Sequence, residues 1–350
     1  MTSYQIAVLQ GDGIGVDVID ASLPVLDKAG RAFGFNLDYR RFDWSCDTYL
    51  KTGRMMPEDG IEQLRGHDAI LLGDVGWPQQ VPDSVSLHGL LLPIRKAFDL
   101  YANVRPHRLL PGVTGPLRAE TFDILCVREN TEGEYSGAGG RIHVGTPDEV
   151  AVESSIFTRR GVERVLRYGF EQARKRRKKL ASVTKSNAQK HSMVFWDGVT
   201  EQVAADYPDV EVTRYHIDAI AARFVMQPET LDVVVASNLF GDILTDLGAA
   251  IQGGLGFAAS ANLNPAGGVP SMFEPVHGSA PDIAGRGIAN PMATIWSTAL
   301  MLQHLGQGAA AEAIIDAMGR VCSAKRVASP DQGGRSTTSE VAAAVAAELP

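Results

Sequence analysis

Leu231–Asp246 reads L-D-V-V-V-A-S-N-L-F-G-D-I-L-T-D. It begins with the β-branched run Val233–Val235, the composition of a short buried strand. Ser237 and Asn238 interrupt that run, and apolar residues then recur at helical spacing. A strand feeding directly into a helix is half of a βα unit. Asp242 and Asp246 stand four residues apart, so a helix here puts both carboxylates on one face. Like charges so placed repel, and a divalent cation is the simplest compensation. Ligand sites of open α/β sheets also gather beyond the C-terminal ends of strands. The bland alternative is a solvated helix face with two unrelated acids. Both readings stand at this point.

The same rhythm extends in both directions. Tyr4–Leu9 reads as a strand, followed by the turn Gly11-Asp12-Gly13-Ile14-Gly15 and a helix to about Phe33. That turn lacks the spacing of the usual dinucleotide fingerprint, and no acidic strand end follows about 20 residues on. Leu37–Phe42 and Ala69–Leu72 are further strands, the second ending in Gly73-Asp74-Val75-Gly76, and Pro57–Arg65 is a short helix. Leu87–Leu100 has a helical pattern. Ile124–Val127, Leu180–Thr184 and Val210–Tyr215 read as strands, with helices over Arg159–Arg177 and Met193–Asp206. The repeated alternation predicts an α/β protein. Thr131–Arg141 is glycine-rich and reads as a loop or arm, and Phe273–Asp282 as a turn-rich binding loop. Two helices follow, over Ala293–Leu305 and Ala309–Val321, then a last one with Ser339 as its cap.

Composition narrows the class. A chain of 350 residues, 45% apolar and 21% charged, is expected to fold as a globular protein of two domains. A net charge of -8 argues against nucleic acid or an anionic membrane surface as partner. The basic run Arg174–Lys179 ends a helix, where cations suit the dipole. No apolar run reaches membrane-spanning length, and no signal peptide is visible before Ile6–Leu9. Cys46, Cys126 and Cys322 lack metal-ligand spacing and suggest free thiols in a reducing, cytoplasmic setting.

Three arginines, Arg95, Arg105 and Arg128, each border an apolar element. Guanidinium groups match carboxylates bidentately, so together they suggest a carboxylate-rich anion; singly, each reads equally as a salt-bridging residue. Lys185 follows a strand, where a lysine serves either as acid–base group or as surface charge. Asp218 also follows a strand, with a helix-cap reading beside the functional one.

These residues, taken in order, resemble the metal-dependent β-decarboxylating dehydrogenases, the isopropylmalate/isocitrate dehydrogenase-like family, and most of all its tartrate/D-malate branch. The resemblance runs nearly end to end. It rests on Gly11–Gly15, Arg95, Asn103-Val104-Arg105-Pro106, Arg128–Gly133, Tyr135, Lys185-Ser186-Asn187, Asp218, Asn238–Asp246 and His277–Asp282. It implies that family's own two-domain fold and not a standard Rossmann fold. A large cofactor-binding domain would comprise 1–100 plus 253–350. A small domain, 101–252, would form a homodimer with active sites shared between subunits. Tyr135, Lys185 and Asp218 would be catalytic, with Lys185 as base and Tyr135 as the donor of a proton to the decarboxylated product. Asp218, Asp242 and Asp246 would hold Mg2+ or Mn2+, an accessory K+ being compatible with the pattern. His277, Gly278, Ser279, Ala280, Asp282, Ile283 and Asn290 would hold NAD. Asp282 stands where an acid meets the ribose hydroxyls and repels a 2'-phosphate.

The implied substrate is a small dicarboxylic 2-hydroxy acid with a malate core, its carboxylates clamped by Arg95, Arg105 and Arg128. His88, Leu91 and Leu92 would line the pocket and set selectivity. His88 stands where isopropylmalate enzymes carry Glu, and Gly89 where isocitrate enzymes carry Ser. Two features depart from the tartrate/D-malate branch: His88 replaces an expected Trp, and Asp74 adds an acid after Gly73. They keep 3-isopropylmalate, or an acid with another C3 substituent, open as substrate. A non-catalytic ligand-binding homologue is the rival of a different class.

Overall fold

A computed structural model describes residues 2–119 and 121–350. Its strands in chain order are β1 (Thr2–Gly11), β2 (Phe35–Phe42), β3 (Ala69–Asp74), β4 (Ala102–Arg108), β5 (Asp123–Glu129) and β6 (Gly133–Ile142), then β7 (Val150–Ile156), β8 (Lys179–Thr184), β9 (Glu211–His216), β10 (Val233–Ala236), β11 (Ala259–Leu263) and β12 (Ser271–Pro275). The chain forms two compact units. One comprises Met1–Leu100, Leu109–Pro116 and Gln252–Pro350; the other comprises Tyr101–Arg108 and Leu117–Ile251.

In the first unit the strand order is β2-β1-β3-β12-β11, parallel except that β11 runs against β12. Parallel strands covered on both faces need continuous apolar runs. Ile6–Leu9 and Ala69–Leu72 supply them, all within 1% of complete burial. The glycine turn after β1 exists for close packing. A Cβ at Gly11 would meet the Asp74 carbonyl oxygen at 1.8 Å, and one at Gly13 the Ser279 carbonyl oxygen at 1.9 Å. Its amides are used internally: Asp12 N–H donates to Asp74 O and Ile14 N–H to Ser279 O, at 2.6 and 2.8 Å. This turn braces the end of β3 and the loop after β12, as a fold other than the standard dinucleotide type requires.

Three local readings change. Leu87–Leu100 is not one α-helix. Leu87–Leu91 forms a π-helical turn, with Leu92 N–H donating to Leu87 O, and an α-helix occupies only Leu92–Ala97. Pro93 explains the break: it has no N–H, and its ring excludes the ordinary bond to Gly89 O. Phe273–Pro275 belong to the buried strand β12, so the loop begins at Val276. Glu274 obscured that strand, because its charge is compensated by a partner remote in sequence. The last helix, Thr338–Ala347, is capped by Thr337 in a reciprocal box with Glu340, not by Ser339.

The second unit has the order β4-β5-β10-β8-β9, with β4 antiparallel to β5 and the rest parallel. The expected arm is itself a strand, β6, paired with β7 in a separate hairpin. Its glycines allow close backbone approach; a Cβ at Gly139 would meet Val152 O at 2.2 Å. The basic end of the helix Arg159–Arg174 is neutralised locally, Arg174 by Asp209 and Arg176 by Asp123 and Asp232.

The opening stretch folds as β10 followed by the helix Asn238–Ile251. Two glycines set how closely that helix lies on β4 and β5. A Cβ at Gly241 would meet Arg128 Cβ and Cγ at 2.7 Å, and one at Gly248 the His107 ring at 2.6 Å. Burial pushes the His107 imidazole down to about 3, so it packs there as a neutral ring. Replacing Gly241 by Ala should cost about 1–3 kcal/mol through overpacking. Urea melts of the variant would check it; an unchanged midpoint would show that the helix is free to move off β5.

All three cysteines are free, and no described helix is long and apolar enough to cross a membrane.

Candidate active site

Asp242 is the hub of a cluster built wholly within the second unit. Its position is fixed by Gly241, whose missing side chain lets the helix sit against Arg128 of β5. Arg128 reaches up and pairs with Asp242, while its Nε and Nη2 donate to Asn238 Oδ1 at 3.0 and 2.7 Å. Arg105 of β4 donates to Thr245 Oγ1 at 2.7 Å and lies 3.5 Å from Asp242 and 3.9 Å from Asp246. Tyr135, on β6, donates its hydroxyl to Asp242 Oδ2 at 3.3 Å, with the Arg128 guanidinium 5.7 Å from its ring centre. Both arginines are buried at their heads, whereas Asp246 is exposed.

The electrostatics follow from that arrangement. Partial desolvation beside the buried arginines, then the charge of Asp242, raises the exposed Asp246 carboxyl above its ordinary range, against the pull of Arg105 and Arg128. Burial and Asp242 likewise raise the Tyr135 hydroxyl, so it stays protonated and available as a donor. A pair of carboxylates that repel, with arginines drawn onto one of them, fits a dication and an anionic ligand. The oxygen donors suit Mg2+ or Mn2+.

Lys185 and Asp218 form their own pair in the same unit. Lys185 Nζ donates to Asp218 Oδ1 at 2.5 Å, and Lys185 holds the exposed Asp218 carboxyl below its usual range. Asp218 lies in the first turn of the helix Ile217–Met226, whose N-cap is His216, so it is not the capping residue. Among the described residues no group of three or more His, Cys, Asp or Glu could hold a metal ion. Within one chain, then, Asp218 is not brought to Asp242 and Asp246.

The first unit holds the other expected residues. Arg95 is buried against Glu274 at 2.7 Å, and Asn262 donates to the same carboxylate oxygen at 2.8 Å. Arg95 Nε is buried with no hydrogen-bond partner among the described residues. His88 and Leu91 lie on the π-helical turn and Leu92 directly after it. His88 is exposed, and Leu91 packs against the core with Trp77 and Met56.

In the loop after β12, Ser279 donates to Gly76 O at 2.5 Å. Ala280 and Ile283 pack against Ile14 and Val18, pinning the loop to the first helix. Gly278 and Asp282 are not buried. Asn290 donates to Asp331 Oδ2 at 3.0 Å and lines a cavity of about 440 Å³ with Phe257, Met292, Asp331 and Gly333. Sequence alone does not mark Asp331 or Glu274 as site residues. Asp331 sits in Ser329-Pro330-Asp331-Gln332-Gly333, a turn signal whose acid can be read as a pocket group only once Asn290 is seen beside it.

The family model described as isocitrate/isopropylmalate dehydrogenase matches residues 5–345. The chain is 52% identical to the tartrate dehydrogenase/decarboxylase of Pseudomonas putida, covering 99% of this chain and 98% of that protein. It is 52% identical, at the same coverage, to D-malate dehydrogenase [decarboxylating] of Escherichia coli (strain K12). A probable tartrate dehydrogenase/decarboxylase of Bacillus subtilis (strain 168) is 51% identical over 100% of this chain and 99% of its own length. Among solved structures, isocitrate dehydrogenase from Methylococcus capsulatus superposes with a TM-score of 0.89 at 35% identity, covering 99% of both chains. The chain belongs to the isocitrate/isopropylmalate dehydrogenase family, with close relatives named as tartrate and D-malate dehydrogenases.

Proposed function

We propose that this protein catalyses the NAD-dependent oxidative decarboxylation of a malate-core 2-hydroxy acid, D-malate to pyruvate and CO2 foremost, with tartrate as a related substrate. The observation that carries this reading is the convergence of Arg105, Arg128 and Tyr135 on Asp242, beside Asp246. A Mg2+ or Mn2+ held by Asp242 and Asp246 would supply Lewis-acid polarisation at the 2-hydroxyl, and NAD would supply the hydride acceptor. Arg105 and Arg128 turn from Asp242 to the carboxylates of the substrate, which their fork geometry suits. Lys185 takes the proton of the 2-hydroxyl. Tyr135 returns one to the carbon that has lost CO2; its raised hydroxyl suits a donor.

Lys185 and Asp218 enter the site from a second copy of the chain, which would bring Asp218 to the metal as third acid. The β6–β7 hairpin supports a dimer, since it exposes Ile142, Val150, Val152 and Ile156 on the same hairpin as Tyr135. The NAD adenine is assigned to the cavity lined by Asn290 and Asp331, and its ribose to Asp282.

Selectivity is assigned to His88, Leu91, Leu92 and Arg95. Isocitrate is disfavoured: Met55 packs over Gly89, and a Cβ added there would meet Met55 Cγ at 2.6 Å. NADH formation should appear at 340 nm with D-malate, NAD and Mn2+ or Mg2+, and vanish when EDTA removes the metal. The panel is D-malate, L- and meso-tartrate, 3-isopropylmalate, isocitrate and homoisocitrate. No turnover with any of them would sink the enzyme reading, while turnover confined to 3-isopropylmalate would move the assignment within the family.

A further inference from the structure

The first unit contains a buried titratable pair for which the reaction above has no use. Asp74 ends β3, and the His277 side chain lies beside it, both more than nine-tenths buried. His277 Nδ1 is 3.1 Å from Asp74 Oδ2, off the line of an ideal hydrogen bond, and 3.3 Å from the Gly278 carbonyl oxygen. The other ring nitrogen, Nε2, is buried with no hydrogen-bond partner among the described residues. A neutral histidine with its proton on Nδ1 makes Nε2 an acceptor, and Gly278 O alone would select that form. Asp74 changes the outcome. As carboxylate it favours imidazolium, which carries a hydrogen on both nitrogens. As a carboxylic acid donating to Nδ1 it leaves the neutral ring its hydrogen on Nε2. One proton held between the two groups therefore makes Nε2 a donor by either route.

We propose that Asp74 is a positioning residue that keeps His277 Nε2 protonated, so that this nitrogen donates a hydrogen bond to an acceptor atom of the dinucleotide. The inference rests on the assignment of the loop after β12 to NAD. A buried N–H without a partner is costly, and a ligand acceptor removes that cost. The charged groups facing the pair are Glu274 of β12, itself bound to Arg95, Asp12 of the glycine turn, and Asp331 of the C-terminal turn. All three are acids, and they favour retention of the proton. Asp74, with Gly278 O and Asp331, raises His277 above its ordinary value despite burial, which acts the other way. The donor thus persists to a pH at which an ordinary histidine has lost its charge. Above the folded-state value the proton leaves, Nε2 becomes an acceptor, and the contact is lost.

The test compares wild type, Asp74→Leu, Asp74→Ala and His277→Phe in the full-length protein. NAD affinity is measured by direct titration and through KM and kcat between about pH 6 and 9. Leucine is close in size to the aspartate but neither charged nor able to hydrogen-bond, so Gly278 O alone holds the ring and the proton stays on Nδ1. Both Asp74 variants should raise the NAD Kd and KM about tenfold at pH 8, with kcat changed less than about twofold. In wild type, KM for NAD should climb as pH passes through the folded-state value, and in the variants that climb should move to lower pH. A role in packing alone would be rescued by the leucine substitution and would leave the pH profile in place. That result, with NAD binding weakened by His277→Phe, which keeps a ring but no N–H, overturns the inference while sparing the cofactor assignment. Unchanged NAD affinity in His277→Phe overturns the assignment itself. Should the Asp74 variants fail to fold, 15N-histidine spectra of wild type decide: a protonated-type Nε2 signal that shifts on adding NAD supports the proposal, and an unprotonated Nε2 at pH 7.5 overturns it.

Discussion

Replacing Lys185 with Met should lower kcat by roughly 10²–10⁴-fold, the range of a positioned general base, and leave NAD binding intact. Methionine keeps the length of the side chain and removes the amine. Among the described residues Lys185 Nζ donates to the exposed Asp218 alone, at 2.5 Å, so little packing depends on it. Stability should change little, because the pair is open to solvent on the Asp218 side. The informative comparison is with Asp218→Asn, which removes the partner but keeps the amine. If Lys185 is the base and Asp218 a metal ligand from the second copy, Lys185→Met should lose turnover at saturating Mn2+, whereas Asp218→Asn should show a weakened Mn2+ affinity that excess metal restores in part. Mixing inactive Lys185→Met with inactive Asp242→Asn under conditions of subunit exchange adds a further reading. With sites shared between subunits, heterodimers regain one intact site, and about half the activity of an equal amount of wild-type dimer returns in them. Retained kcat in Lys185→Met refutes its role as base; no recovery on mixing, with exchange demonstrated, refutes the shared site.

The fold could be read wherever apolar period and turn chemistry agreed. Ile6–Leu9, Ala69–Leu72 and Val233–Val235 are buried on both faces, and such strands announce themselves as continuous runs. The reading failed where a buried polar group took part. β12 reads as a loop in sequence because Glu274 is neutralised by Arg95, remote from it in sequence, and takes a further hydrogen bond from Asn262 on β11. The segment before Arg95 looked like one helix because apolar spacing is blind to the effect of Pro93 on hydrogen bonding. In the site, Asp242 and Asp246 were legible from their four-residue spacing. The bracing glycines Gly241 and Gly248 were not, since a missing Cβ has meaning only against the side chain that fills its place. Asp74 was visible as an added acid, but its pairing with His277 depends on the glycine turn and the loop after β12 being packed together. Periodicity thus finds the elements, and the polar partners that make an element bearable in the interior appear only in three dimensions.

Asp242→Asn should abolish metal-dependent turnover and also change the stability of the free protein, and the two effects can be separated. Loss of a metal ligand that polarises the reacting oxygen removes several kcal/mol of transition-state stabilisation, about 10³-fold or more in rate. In the free protein Asp242 also neutralises Arg128, buried at its head, and stands 3.5 Å from Arg105. Removing that charge leaves two guanidinium groups facing an amide. The cost lies between the ~1 kcal/mol of an exposed pair and the ~3–5 kcal/mol of a buried one, because Asp242 is itself part-exposed. Asp246→Asn should behave differently. Asp246 is more exposed, its nearest arginine contact is 3.9 Å, and its carboxyl is raised by partial desolvation and Asp242. Neutralising it relieves repulsion within the pair, so the free protein should be as stable as wild type or slightly more so, while Mn2+ binding still fails. Thermal melts with and without Mn2+ separate these outcomes. Wild type should gain stability with Mn2+ according to RT ln(1 + [L]/Kd), and neither variant should. A full Mn2+ shift in either variant would remove that residue from the metal site. A free-state Tm lowered equally by both would show that Asp246 serves the arginines as Asp242 does, and the division between counter-ion and metal ligand drawn from the geometry would fail.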